Sequence, residues 1–282
     1  MEEPELDRKI AFITGASRGI GAAAAKSLAR KGYDIVVTAR TLHEGQALER
    51  GNDGTPLPGS VETTARAVRA LGREALPLRL DLLDRDSILA AVDAAEQHWG
   101  PIDLLLNNGI YQGPGTMDHV LDLKLEDLET LYQGNIISQL LLIQRVLPGM
   151  LERKRGTLIN MVSQSGMMDP SGPAGDGGWG WAYSGSKAAL QRLVGVLHAE
   201  HRYDWLRLFN VEPGYTPTAA MQARGMEGQW GYLGAPPEVC AEVIAWLATE
   251  EAAMEWQAQT VHSQRLCKKL GLVEGWPPPR KP

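Results

Sequence analysis

The chain has 282 residues, 44% of them hydrophobic and 22% charged, which is enough apolar material for a sizeable core and excludes a disordered chain. A formal net charge of −6 excludes a basic field for nucleic acid or an anionic membrane surface. The acidic start MEEPELDRKI is the opposite of a secretory or transit leader, and no apolar run is long enough to span a bilayer.

Short apolar runs alternate with longer amphipathic stretches, the pattern of a parallel sheet with crossover helices. The runs predict strands over 10–14, 35–39, 75–80, 104–107, 157–162 and 206–211, with a last short one over 259–263. They are continuous rather than alternating, as strands buried on both faces should be. Helices are expected over 19–31, 61–71, 84–98, 125–151, 181–203 and 237–249. The last of these begins with Pro in its first turn, where a missing N–H costs nothing. Two stretches break the rhythm, a Gly/Pro-rich one over 41–60 and a second over 165–180 that holds six glycines. Both read as surface loops. One α/β domain over 1–282 is the economical reading, its core about 8–263 and its tail 264–282.

The first strand runs straight into Thr14-Gly15-Ala16-Ser17-Arg18-Gly19-Ile20-Gly21 and then an Ala-rich helix. Glycines let a backbone turn tightly against a pyrophosphate, and a helix N-terminus offers free N–H groups with partial positive charge. Gly15, Ser17, Arg18, Gly19, Ile20 and Gly21 are therefore candidate dinucleotide contacts. The spacing Gly-x-x-x-Gly-x-Gly in TGASRGIG resembles the nucleotide-binding motif of the short-chain dehydrogenase/reductase family. The resemblance runs from Lys9 to about Ser263 and implies a doubly wound, Rossmann-type parallel sheet with helices on both faces.

The second strand ends in Val37-Thr38-Ala39-Arg40. Enzymes that use NAD usually place an acid there to accept the adenine ribose hydroxyls, whereas this chain has Ala39 and then Arg40. Arg18 and Arg40 together suit a 2′-phosphate, which a guanidinium binds in a bidentate fork. NADP(H) is the expected cofactor, with NAD(H) the alternative. Asp81, closing the third strand, matches the family's adenine contact. Asn107-Asn108-Gly109 resembles its Asn-Asn-Ala-Gly signature, shortened here to NNGI.

Tyr183 and Lys187 stand four apart on an expected helix and so share a face. A nearby ammonium stabilises phenolate and brings a tyrosine from about 10 toward working pH. The resemblance adds Ser163, which ends the strand in INMVSQSG, and Asn135 in YQGNIISQL. It implies that Tyr183 donates or accepts the substrate proton, Lys187 tunes Tyr183 and binds the nicotinamide ribose, and Ser163 polarises the carbonyl. Asn135 would hold a water in a relay behind Lys187. The span from Ser163 to Tyr183 is longer than the family's by several residues, which leaves Ser165 as the alternative serine.

Pro213-Gly214-Tyr215-Thr216-Pro217-Thr218 resembles the family's Pro-Gly-x-x-x-Thr segment near the nicotinamide, so Pro213, Gly214, Thr218 and the intervening Thr216 are candidate cofactor contacts. A short lid is expected over 219–234, and Trp179, Trp181, Met226 and Trp230 are available for apolar substrate contact. Cys240 and Cys267 read as idle thiols of a reducing, cytoplasmic setting, with a lone disulfide as the alternative. The six histidines show no recurring ligand spacing, so no metal is expected. Three activities stay open: a carbonyl/alcohol oxidoreductase on a small molecule, a non-catalytic dinucleotide-binding redox sensor or scaffold, and an epimerase or dehydratase. The resemblance also implies a homodimer or homotetramer.

Overall fold

The computed structural model describes residues 8–218, 221–222 and 234–278. Seven strands form one parallel sheet: β1 (Lys9–Ile13), β2 (Tyr33–Ala39), β3 (Ala75–Arg79), β4 (Leu104–Asn107), β5 (Gly156–Met161), β6 (Leu206–Glu212) and β7 (Thr260–His262), in the order β3-β2-β1-β4-β5-β6-β7. The order reverses between β1 and β4. At such a switch point the connections leave in opposite directions and open a crevice at the carboxyl ends of the strands.

The helices are α1 (Gly19–Arg30), α2 (Val61–Arg69), α3 (Arg85–Trp99), α4 (Leu125–Tyr132), α5 (Ser138–Arg153), α6 (Trp181–Glu200), α7 (Pro237–Thr249) and α8 (Ser263–Leu270). Two apolar layers sandwich the sheet. Ala11 and Ile13 face the layer built on α1, α2 and α7, while Ile10 and Phe12 face the layer built on α3, α5 and α6. The alternation within β1 is the two-residue strand period, with both faces fully covered. Ser60 caps α2 by accepting from Thr63 N at 3.0 Å, and Asp84 caps α3 by accepting from Ser87 N at 3.1 Å. By contrast, no side chain caps the N-terminus of α1, so its first N–H groups face the crevice.

Two elements differ from the expectations drawn from sequence. The stretch expected as one helix over 125–151 is broken: a widened i→i+5 turn over Gln133–Ile137 separates α4 from α5. Its cause is tertiary. Gly134 lies so close to Tyr111 that a Cβ would come within 2.7 Å of the Tyr111 Cβ, and the Asn135 amide pairs with Tyr111. The second difference is α8, inside the stretch read as tail. Its apolar content is sparse, and it docks through Leu266 and Cys267.

Candidate active site

The glycine-rich turn is a close-packed object. Gly15 has φ +64°, and a Cβ there would stand 2.6 Å from the Cα of Gly109. Thr14 Oγ1 accepts from the backbone N–H groups of Asn108 at 3.0 Å and Gly109 at 2.8 Å. Asn108 Nδ2 donates to the carbonyl oxygens of Thr14 at 2.8 Å and Gly15 at 3.1 Å. The shortened NNG segment thus clamps the turn, and Gly109 suits it because a Cβ would press within 3.1 Å of Thr14. Thr14 and Asn108 are missing from the sequence-derived site; their task is visible only once β1 and β4 are neighbours.

Across the sheet, Asn107 Nδ2 donates to Asn160 Oδ1 at 2.9 Å, and Asn107 Oδ1 is buried without a partner. Thr216 Oγ1 is likewise buried and unpartnered, and Thr218 is carried to the glycine-rich turn, 3.2 Å from where a Gly19 Cβ would stand. Ser263 Oγ and Gln264 Nε2, on the unforeseen α8, donate to the Pro213 carbonyl at 3.1 and 3.0 Å and so hold the Pro213-Gly214 bend. Ser17 is buried and Ile20 half-buried against the α1 layer. Asp81 spends one carboxylate oxygen on its own turn, accepting from Leu83 N at 3.1 Å. An uncapped helix N-terminus, a glycine cradle and two unpartnered buried oxygens along one crevice are the donor and acceptor set a dinucleotide needs. The residues fit that cofactor.

Arg18 and Arg40 converge, and a carboxylate joins them. Arg40 pairs with Glu49, whose other oxygen lies 3.8 Å from Arg18 Nη1. The loop over 41–60 folds back on the turn, where Arg18 donates to the carbonyl oxygens of Pro58 at 2.9 Å and Gly59 at 3.2 Å.

Tyr183 and Ser163 meet at the carboxyl end of β5, near enough that the Ser163 hydroxyl lowers the Tyr183 pKa. The extra residues between them bulge out over 165–180. Gly166 makes this possible, because its Cα lies flat on α6 and a Cβ would strike Ala188 N at 2.6 Å. Ser165 Oγ donates to Ser163 Oγ at 3.0 Å, in line behind it. Trp179, from the bulge, stacks on the Tyr183 ring with centroids 4.5 Å apart. Trp181 is half exposed, whereas Met226, Trp230 and nearly all of the expected lid lie outside the described residues.

Lys187 is buried beside this pair and donates from Nζ to the Met161 carbonyl at 2.8 Å. Burial lowers its pKa to about 8. Tyr183 is pushed up to about 12, first by burial and then by the Glu212 charge, with the Ser163 hydrogen bond opposing. The sequence expectation of a Tyr183 lowered by Lys187 is therefore reversed here. Both groups are desolvated, which disfavours phenolate and ammonium alike. Asn135 sits in the widened turn, accepting from Tyr111 N at 2.8 Å and donating to the Tyr111 carbonyl at 3.2 Å.

A switch-point crevice thus lies beside buried Tyr183 and Lys187 with Ser163 at its edge. The profile of the short chain dehydrogenase family matches residues 9–54 and 56–228, and the chain belongs to that family. It is 34% identical over 213 residues to mouse dehydrogenase/reductase SDR family member 7, covering 75% of this chain but only 56% of the mouse protein. It is 30% identical over 258 residues to a Vibrio cholerae 3-oxoacyl-(acyl-carrier-protein) reductase, covering 88% of this chain and 93% of that one. Among solved structures, an actinorhodin polyketide ketoreductase variant crystallised with NADPH superposes with a TM-score of 0.72 at 25% identity, over 91% of this chain and 95% of that chain. The family's members are NAD(P)-dependent oxidoreductases of CH–OH and C=O groups.

Proposed function

We propose that the protein is an NADPH-preferring oxidoreductase that interconverts a carbonyl and a secondary alcohol on a small molecule. The observation that carries this reading is that Tyr183 and Lys187 are both buried on one face of α6, with the Ser163 hydroxyl at the end of β5 near enough to lower the Tyr183 pKa. When bound, the nicotinamide supplies or takes up the hydride. Every other task falls to the chain. Gly15, Ser17, Gly19, Ile20 and Gly21 would seat the pyrophosphate, Asp81 and Asn107 the adenosine side, and Pro213, Gly214, Thr216 and Thr218 the nicotinamide side.

Tyr183, neutral up to about 12, is a phenol ready to give its proton to a substrate oxygen. Ser163 orients that oxygen through its hydroxyl, and the Ser165 hydroxyl fixes the direction of Ser163. The Lys187 ammonium spends one N–H on Met161 and keeps two for ribose hydroxyls. Asn135 holds the 111–135 contact that shapes the widened turn beside the site. The NADPH preference is supported by Arg18 and Arg40 converging where Ala39 leaves no acid.

The test is NADPH oxidation at 340 nm across ketones, aldehydes and keto-thioesters, with NADH in parallel. Turnover with NADPH at a higher kcat/KM than with NADH is expected. NADPH binding with no turnover of any carbonyl would instead favour the sensor or scaffold. A homodimer or homotetramer is part of this reading, supported by exposed Leu140 on α5 and Val196 on α6, which line one shared groove. Light scattering should show at least a dimer; a monomer at micromolar concentration refutes it. A cytoplasmic setting is supported by Cys240 and Cys267, both buried and unbonded. No helix among the described residues is long and apolar enough to cross a membrane.

A further inference from the structure

The loop over 41–60 does more than connect β2 to α2. Within it the chain doubles back as a small hairpin. Arg50 bridges Pro56, Leu57 N donates to the Glu49 carbonyl at 3.0 Å, and Gly51 N donates to the Thr55 carbonyl at 2.9 Å. Asp53 Oδ1 closes the tip by accepting from Thr55 N at 2.9 Å and Thr55 Oγ1 at 2.7 Å. The base is tied down as well, because Glu44 accepts from Gly59 N at 2.7 Å and Val61 N donates to the Thr41 carbonyl at 3.0 Å. This scaffold presents the Glu49 carboxylate to Arg40 on one oxygen and to Arg18 on the other. All three side chains are largely shielded, at 19%, 33% and 26% exposure for Arg18, Arg40 and Glu49.

We infer that Glu49 is the residue that sets the choice of dinucleotide, acting as a built-in anion on the two arginines. The inference rests on the reading of Arg18 and Arg40 as the phosphate-binding pair. A ribose 2′-phosphate carries about −1.5 to −2 charge near neutral pH and would compete with Glu49 for the Arg40 guanidinium and for the Arg18 guanidinium 3.8 Å away. Two anions on one pair of guanidiniums oppose one another, so the phosphate takes the arginines only after Glu49 swings away. An unphosphorylated ribose brings two hydroxyl donors instead, and a carboxylate held at this place is the acceptor that Ala39 fails to provide. Glu49, delivered by an insertion, thus serves NADH when in place and NADPH when displaced. The arginines are kept oriented in both states.

The experiment is titration of NADPH and NADH into wild type, Glu49→Gln and Arg40→Gln, following quenching of tryptophan fluorescence, with melting temperature as the folding control. Glu49→Gln keeps the shape and removes the charge. It is expected to tighten NADPH about tenfold and to weaken NADH, moving the ratio of the two Kd values toward NADPH by at least about tenfold. Arg40→Gln is expected to weaken NADPH about tenfold and leave NADH within about threefold. If Arg40→Gln behaves so but Glu49→Gln shifts the ratio by less than about twofold, or weakens both cofactors equally, the role of Glu49 is overturned and the phosphate pair stands. If Arg40→Gln leaves the ratio unchanged and wild type prefers NADH, the phosphate pair is overturned. The role of Glu49, which rests on that pair, falls with it.

Discussion

Tyr183→Phe is expected to lower turnover by roughly a hundred- to ten-thousand-fold, the usual worth of a general acid, while dinucleotide affinity stays within about threefold. Phe keeps the ring, and with it the stack on Trp179 at 4.5 Å, so the loss reads the hydroxyl alone. The pH profile supplies a second reading of the same chemistry. Tyr183 stays neutral up to about 12, so the proton donor for carbonyl reduction is present across the assay range. Lys187, lowered by burial, loses its charge as pH rises through about 8. Reduction should therefore be flat below that value and decline above it. Alcohol oxidation, which needs phenolate, should gain with rising pH. Lys187→Met should remove the break near 8 from the reduction profile. Turnover that survives in Tyr183→Phe at more than about a tenth of wild type would sink the mechanism.

The largest loss of stability is expected far from the chemistry, at Asp103. This side chain is only 5% exposed, just ahead of β4. Oδ2 accepts from Ile10 N at 2.9 Å, while Oδ1 takes Arg153 Nη1 at 2.6 Å and Arg155 Nε at 3.0 Å. Its backbone continues the tie, since Asp103 N donates to the Ile10 carbonyl and Thr157 N donates to the Asp103 carbonyl. One carboxylate thus joins the entrances of β1, β4 and β5. Asp103→Ala leaves the buried Ile10 N–H unpaired and takes the shared carboxylate away from Arg153 and Arg155, which costs about 3–5 kcal/mol. For a chain of this size that is a fall of roughly 10 °C in melting temperature. Calorimetry showing a fall under about 3 °C would mean that water replaces the carboxylate at little cost.

Much of the site was legible because its signals are local. Gly15, Gly19 and Gly21 mark a strand-to-helix turn within seven residues, and Tyr183 and Lys187 share a helix face by spacing alone. The strands showed through as continuous apolar runs, and β4 and α7 lie where the runs place them. The family resemblance contributed Ser163 and Asn135, which no local period marks.

What tertiary structure alone decided has one physical source, contacts between residues distant in the chain. The clamp of Thr14 on Asn108 and Gly109 spans 94 and 95 positions and exists only because β1 lies beside β4. The break at Gln133–Ile137 answers to Tyr111, more than twenty residues earlier, and so has no trace in the helical period. Helix α8 is short and mostly polar, with only Leu266 and Cys267 of its apolar side chains buried, and Ser263 and Gln264 tie it to Pro213. The direction of the Tyr183 shift reversed the expectation from its pairing with Lys187 because desolvation, which sequence does not encode, raises it. Glu49 falls in a stretch whose composition says only loop, and it gains a meaning when a hairpin of its own making carries it to Arg18 and Arg40.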